Sequence, residues 1–182
     1  METFKKSMLI ILIAIVVMVV LGVGIFFLSF KTSYLSISKI YANEYRVDTA
    51  LVMSVIKAES KFNPKAKSKA NAIGLMQIKL DTANYMLQKL GETEITETEL
   101  FDPKTNIKIG TKYLQYLLNK FDNVEVVICA YNAGETVVSN WLKDNNCSSD
   151  GKTLKQIPFA ETSHYLKKVM FNYSVYKKII KV

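Results

Sequence analysis

The sequence predicts a mainly α fold, and three observations carry that expectation. Glycine and proline are scarce, 7 and 3 among 182 residues, which disfavours a turn-rich all-β chain. Apolar residues recur at helical spacing through several segments that begin at capping residues. No alternating apolar–polar run long enough for a strand is present. The composition, 49% hydrophobic and 22% charged, excludes a disordered or collagen-like chain. Two cysteines cannot build a disulfide scaffold, and beside a single histidine no Cys/His zinc cluster is expected.

The first element is apolar on every side. Met8 to Phe30 holds 23 residues without one charge, and about 20 such residues cross a bilayer core as a helix. The run exceeds the roughly 7–15 apolar residues of a secretory signal, and no A-x-A-like cleavage site follows. A core helix of a soluble domain would be apolar on one face only. The expectation is therefore an uncleaved transmembrane helix over residues 8–30, behind a short N-terminal segment 1–7. Flanking charge gives little orientation, since Lys5 and Lys6, offset by Glu2, face Lys31 and Lys39 across it.

Residues 31–40 read as a stalk and residues 41–182 as one helical domain. Asp48 is placed to cap a helix in which Val47, Leu51, Val52, Val55 and Ile56 form an apolar stripe. Asn63 to Gly74 reads as a loop. So does Gly91 to Leu100, whose Glu92, Glu94, Glu97 and Glu99 suit a solvated surface. Asp102 caps the next helix with Pro103 at its first position, and Ile107, Leu114, Leu117, Leu118 and Phe121 form its stripe. Val124 to Tyr131 is a short apolar helix stopped by Asn132-Ala133-Gly134. A helix from Val137 to Lys143 carries the single tryptophan, Trp141, and a last one runs from about Thr162 to Ile180.

Charge narrows the partners. The chain is formally +8, and once Lys5, Lys6 and Glu2 are set aside the remainder holds 22 basic against 15 acidic residues, +7. A basic domain at a membrane suits anionic lipid, nucleic acid or an acidic wall polymer, and a solvated lysine-rich surface explains the same charge. No arginine-rich helix, glycine-rich phosphate loop or aromatic–basic RRM pattern supports nucleic acid.

Three short features could carry chemistry. Glu59 lies four residues after Val55 and three after Ile56, so a carboxyl continues an apolar stripe. It is either a paired structural charge or a group whose burial favours the protonated form a general acid needs. Gly74-Leu75-Met76-Gln77-Ile78 puts a neutral amide in an apolar stretch, to orient a polar substrate or to satisfy a local turn. Ala130-Tyr131-Asn132-Ala133-Gly134 puts an aromatic ring and an amide at a helix end, suited to a sugar ring or to a plain C-cap.

Their order and spacing identify more than each does alone. Glu59-Ser60, Phe62-Asn63-Pro64, Ser68, Gly74-Leu75-Met76-Gln77, Phe101-Asp102-Pro103, Asn106 with Gly110 and Tyr113-Leu114, Ala130-Tyr131-Asn132-Ala133-Gly134, and Ile157-Pro158 with Glu161-Thr162 and Tyr165 follow one another. This series resembles the catalytic domain of the soluble lytic transglycosylases, the SLT-type, goose-lysozyme-like muramidases, over about Tyr41 to Tyr176. The resemblance implies a compact lysozyme-like domain with a glycan-binding cleft. It implies cleavage of the β-1,4 bond between N-acetylmuramic acid and N-acetylglucosamine of peptidoglycan strands, with formation of 1,6-anhydro ends. Glu59 matches the catalytic glutamate, acting as acid and then as base. Ser68, Met76 and Gln77 match cleft positions. Tyr131 matches the tyrosine that packs and hydrogen-bonds beside that glutamate, with Asn132 its neighbour, and Glu161 matches a second acidic cleft residue. No metal or organic cofactor is implied. A wall substrate would put residues 41–182 on the extracytoplasmic side of the membrane and residues 1–7 in the cytoplasm.

The sequence also departs from the family pattern. Lys69 and Asn71 stand where Pro and Gly are common, and Asn can take the left-handed turn that Gly would. Cys129 replaces a small residue on a packed helix, which disfavours pairing with Cys147 even outside the cell. His164 is expected on an exposed face. Two other readings remain at this stage. The same fold could be a hydrolase using a second carboxylate, Asp48 or Glu161, or the chain could be a non-catalytic wall-binding scaffold.

Overall fold

Helices form wherever the sequence supplies an N-cap followed by apolar spacing. The computed structural model describes residues 2–28 and 30–180, with backbone only at 2–7, 9, 10, 23 and 27. The chain divides into two units, residues 1–32 and 33–182. The first is the helix α1, Glu2–Leu28. Its described side chains from Ile11 to Leu21 are all exposed. Over the described residues, no helix is long and apolar enough to cross a membrane. The expected span 8–30 includes Ser29 and the side chains of Leu9, Ile10, Val23 and Phe27, which lie outside the described residues.

The second unit holds α2 (Leu35–Tyr45), α3 (Thr49–Ser60), α4 (Leu80–Leu90), α5 (Glu97–Leu100), α6 (Pro103–Lys120), α7 (Val124–Ala133), α8 (Glu135–Lys143) and α9 (Ala160–Ile179). Among the described residues there is no strand, only single bridges at Lys67–Ile73 and Ile73–Ile78. The stretch expected as a stalk largely belongs to α2. Its Ser38, Tyr41, Ala42 and Tyr45 are buried, and it packs on α3 and α6. The aromatic side chains at i and i+4 give that short helix a face to bury.

The core is centred on α3. Leu51, Val52, Met53, Val55 and Ile56 are all buried, so this helix is enclosed nearly all round rather than along one stripe. It sits between α2 and α9, while α6 packs on α2, α4 and α7, and α7 packs on α8 and α9. On α6 the expected stripe is buried at Ile107, Leu114 and Leu117, whereas Leu118 is half-buried. The caps form as the sequence suggests. Asp48 accepts from Ala50 N at 2.8 Å and Asp102 from Thr105 N at 2.8 Å. The acidic segment 91–100 is not plain loop: Thr96 and Glu99 form a capping box that starts α5.

Polar groups along α9 set its register on α3. Tyr165 reaches Glu59 near the end of α3, Asn172 reaches the Ser54 carbonyl, and Tyr173 and Lys177 reach Asp48 at its start. The pairings run in opposite sequence directions, so the two helices are antiparallel. Lys168 also donates to the Ala58 carbonyl, one of the last-turn acceptors that a helix leaves open. Asp48 thus caps α3 and ties it to α9. Burial alone would raise its pKa, but the hydrogen bonds from Lys177, Tyr173 and Ala50 N together hold it below 3.8. Asp48→Ala is expected to cost about 1–3 kcal/mol at pH 7, from the lost cap and the unpaired Tyr173. Because the folded pKa is depressed, that difference is present above pH 3.8 and shrinks as the pH falls through the folded value. Urea denaturation of both proteins at pH 7 and at pH 3 checks it.

Candidate active site

The loop between α3 and α4 is shaped by one buried amide. Asn106 of α6 is fully enclosed. Its Nδ2 donates to the carbonyls of Ile73 and Leu100, each at 2.9 Å, and its Oδ1 accepts from Met76 N at 2.8 Å. The satisfied amide replaces the sheet partners that this segment lacks. Gly74 turns there at φ +75°, and a Cβ on it would overlap the Asn106 side chain, so the position needs glycine. Asn71 takes φ +58°, the left-handed turn expected of it.

That loop forms one wall of a cavity of about 730 Å³. Glu59, Ser68, Gln77, Tyr131, Asn132 and Glu161 all line it, so six of the seven candidate site residues come together. Met76 does not join them. Its side chain is fully buried against Gly110, where an added Cβ would overlap it, and only its backbone serves the site. Tyr131 is beside the site, but its hydroxyl donates to the Met76 carbonyl at 2.9 Å rather than to Glu59. The hydroxyl on Glu59 is that of Tyr165, which donates to Oε1 at 2.6 Å. Tyr165 closes the motif series without a role legible in the sequence. Its place four residues after Glu161 and three after Thr162 puts all three on adjoining faces of α9, and that spacing was the available signal.

The other polar groups are partly engaged. Gln77 Nε2 donates to the carbonyls of Ala66 at 3.1 Å and Gly74 at 2.9 Å. Ser68 Oγ accepts from Ala70 N at 3.2 Å and Ala72 N at 3.0 Å. Asn132 Oδ1 accepts from Thr162 Oγ1 at 2.7 Å, which joins α7 to α9 beneath the site. Lys69, Lys79, Thr82 and Tyr113 complete much of the lining. Asp48, the other sequence candidate for a second carboxylate, is eleven residues from Glu59 along α3, about 16 Å at helical rise, and is used by Tyr173 and Lys177. Cys129 and Cys147 are both free and buried, and His164 is exposed. Among the described residues no group of three His, Cys, Asp or Glu side chains could hold a metal ion.

Electrostatics single out Glu59. Its pKa is pushed up from 4.5 to about 7, chiefly because burial penalises the charged form. The Tyr165 hydrogen bond and the Lys168 charge act downward, and the Glu161 charge acts upward. The carboxyl therefore exchanges its proton near neutrality, within reach of a cavity large enough for a ligand.

Residues 36–154 match the transglycosylase SLT domain. The chain belongs to that family. It is 36% identical over 144 residues to the soluble lytic murein transglycosylase of Escherichia coli K12, covering 78% of this chain and 22% of the relative. It is 43% identical over 108 residues to the membrane-bound lytic murein transglycosylase E of Buchnera aphidicola, covering 53% of this chain and 48% of that one. An inactive glutamate-to-glutamine mutant of lytic transglycosylase Slt from Pseudomonas aeruginosa superposes with a TM-score of 0.75 at 28% identity, over 83% of this chain and 25% of that one. This SLT-domain chain thus spans between a fifth and a half of the length of these relatives.

The raised pKa of Glu59 has a consequence for stability. The folded protein holds this proton more tightly than the unfolded chain, so stability falls as the pH rises from 4.5 to about 7 and then levels off. Glu59→Gln removes that penalty. The variant is expected to match the parent near pH 4 and to exceed it by about 2–3 kcal/mol at pH 8. Chemical denaturation at the two pH values measures the gap.

Proposed function

We propose that this chain is a membrane-anchored peptidoglycan lytic transglycosylase in which Glu59 is first general acid and then general base. The observation that carries the reading is a carboxyl pushed up to about 7 on a cavity whose lining also holds the amides of Gln77 and Asn132, the rings of Tyr113 and Tyr131, the Glu161 carboxylate and two lysines. Membership of the SLT-domain family and the names of the relatives support the reaction class.

In this mechanism protonated Glu59 gives its proton to the oxygen linking N-acetylmuramic acid to N-acetylglucosamine. The bond from that oxygen to C1 breaks. The C6 hydroxyl of the muramyl unit then attacks C1 and loses its proton to the Glu59 carboxylate. The new C1–O6 bond closes a 1,6-anhydro ring, no water is consumed, and Glu59 ends protonated. A group that titrates near neutrality can serve both steps. Tyr165 remains as the donor that steadies the carboxylate between them.

The engaged halves of the polar side chains decide what each offers a sugar. Gln77 has spent its amide N–H groups and offers a carbonyl oxygen. Asn132 has its oxygen engaged by Thr162 and offers its N–H groups. Ser68 has its oxygen occupied and offers its hydroxyl proton. With the Glu161 carboxylate these supply both donors and acceptors for hydroxyl and N-acetyl groups. Because Glu161 lines the same cavity, a hydrolytic reaction with water in place of the C6 hydroxyl is the second reading.

The anchor belongs to the same proposal. The uncharged run over residues 8–30, most of it within α1, and the exposure of its described side chains support a span. A wall substrate places the SLT domain on the extracytoplasmic side. Digestion of purified peptidoglycan by the full chain, with muropeptides weighed by mass spectrometry, tests the reaction. The expected fragments are one water lighter than hydrolysis products, and Glu59→Gln is expected to release at least about a hundredfold less. Reducing ends, or undiminished release by the variant, would overturn the mechanism.

A further inference from the structure

Two helices leave the cavity wall with the same side-chain pattern. On α4, Thr82 lines the cavity, Tyr85 follows three residues on, and Lys89 seven. On α6, Tyr113 lines the cavity, and Tyr116 and Lys120 follow at the same offsets. Positions i, i+3 and i+7 share one helix face, so each helix carries a lining residue, a tyrosine and a lysine in a row. The two rows meet. Ring centroids are 5.3 Å apart for Tyr131–Tyr113, 6.4 Å for Tyr113–Tyr116 and 6.0 Å for Tyr116–Tyr85. Tyr85 is 43% exposed, so the series begins at the cavity and ends in solvent. The Lys89 ammonium is 4.7 Å from the centre of the Tyr85 ring and 5.3 Å from that of Tyr116. Lys120 is paired with Glu135 at 3.1 Å, whereas Lys89 makes no ion pair among the described residues.

We propose that Tyr85, Tyr116 and Lys89 form an outer subsite that holds the peptidoglycan strand beyond the sugars in the cavity. This rests on the proposed function and extends it. The C–H face of a pyranose packs on an aromatic ring; Tyr113 and Tyr116 lie within 14° of parallel, and exposed Tyr85 stands edge-on to Tyr116 at 88° as the outer wall of the series. The occupant is identified by continuity: Tyr113 belongs both to the cavity wall and to the ring series, so a strand leaving the cavity on this side meets the rings in turn. Lys89, held against two rings, is a cation for the carboxylates that stem peptides carry.

The test uses binding rather than turnover, in the full chain carrying Glu59→Gln, so a failure of the catalytic reading leaves it intact. Isothermal titration with N-acetylglucosamine trimer and octamer compares this protein with one also carrying Tyr85→Ala, each checked for an unchanged melting transition. The octamer is expected to bind roughly three- to tenfold more weakly to the Tyr85→Ala protein, while the trimer is unchanged and Tyr85→Phe restores octamer binding. Equal weakening of trimer and octamer, or no weakening in a folded variant, would mean that the rings only brace α4 on α6 and would overturn the proposal. Lys89→Glu, at an exposed position, gives an independent reading. It is expected to lower affinity for wall strands bearing stem peptides more than for strands stripped of them, and equal affinities would overturn the role given to Lys89.

Discussion

The arrangement depends on one half-buried carboxyl that is given no full ionic partner. Burial of Glu59 between α3 and α9 penalises its charge, and the Tyr165 hydroxyl and Lys168 ammonium offset part of that penalty. A stronger partner, such as an arginine in contact, would hold the group ionised at neutral pH and leave it unable to donate a proton. No partner at all would keep it protonated and unable to accept one. The balance sits between these, and it is costly. The fold carries an unfavourable charge at its centre above neutral pH, and the surrounding contacts must offset it.

Those contacts explain why the domain is built as it is. Six hydrogen bonds from α9 to α3 and α7 fix the second helix against the one bearing Glu59. Asn106 holds the loop wall by bonding two backbone groups of a segment that has no sheet to join, at Ile73 and Met76, and the Leu100 carbonyl of α5. The Tyr131 hydroxyl reaches the same segment through the Met76 carbonyl, so the aromatic wall and the loop move as one. Asn106 and Tyr131 are buried with their partners in place, which gives definition to the cavity wall. The outer rings proposed as a further subsite continue from Tyr113, the point where this wall meets α6.

Much of this was legible in the sequence, and what was missed has a physical reason. The helices capped by Asp48 and Asp102, and the short apolar helix that starts at Val124, were legible because local signals and burial agree there. The helix α4 lacks the local start signal of those helices, since Lys79 gives it no side-chain cap. Residues 31–40 read as a stalk because α2 is short and half polar, and only its packing on α3 and α6 reveals it as part of the domain. The motif residues gathered around the cavity as their order implied. Which atom bonds which was not readable: Met76 serves through its backbone, and Tyr165 rather than Tyr131 bonds Glu59. The first depends on how the loop packs on α6 and α7, the second on how α9 meets α3, tertiary quantities with no local trace.

The central claim is that Glu59 carries an exchangeable proton near neutral pH because of where the fold puts it. The direct measurement is a carbon-13 NMR titration of the glutamate side-chain carboxyls, with the Glu59 signal assigned by its absence in Glu59→Gln. The account predicts a midpoint near 7, well apart from the exposed glutamates. A midpoint at the ordinary value of 4.5 would contradict it and leave the site without its acid.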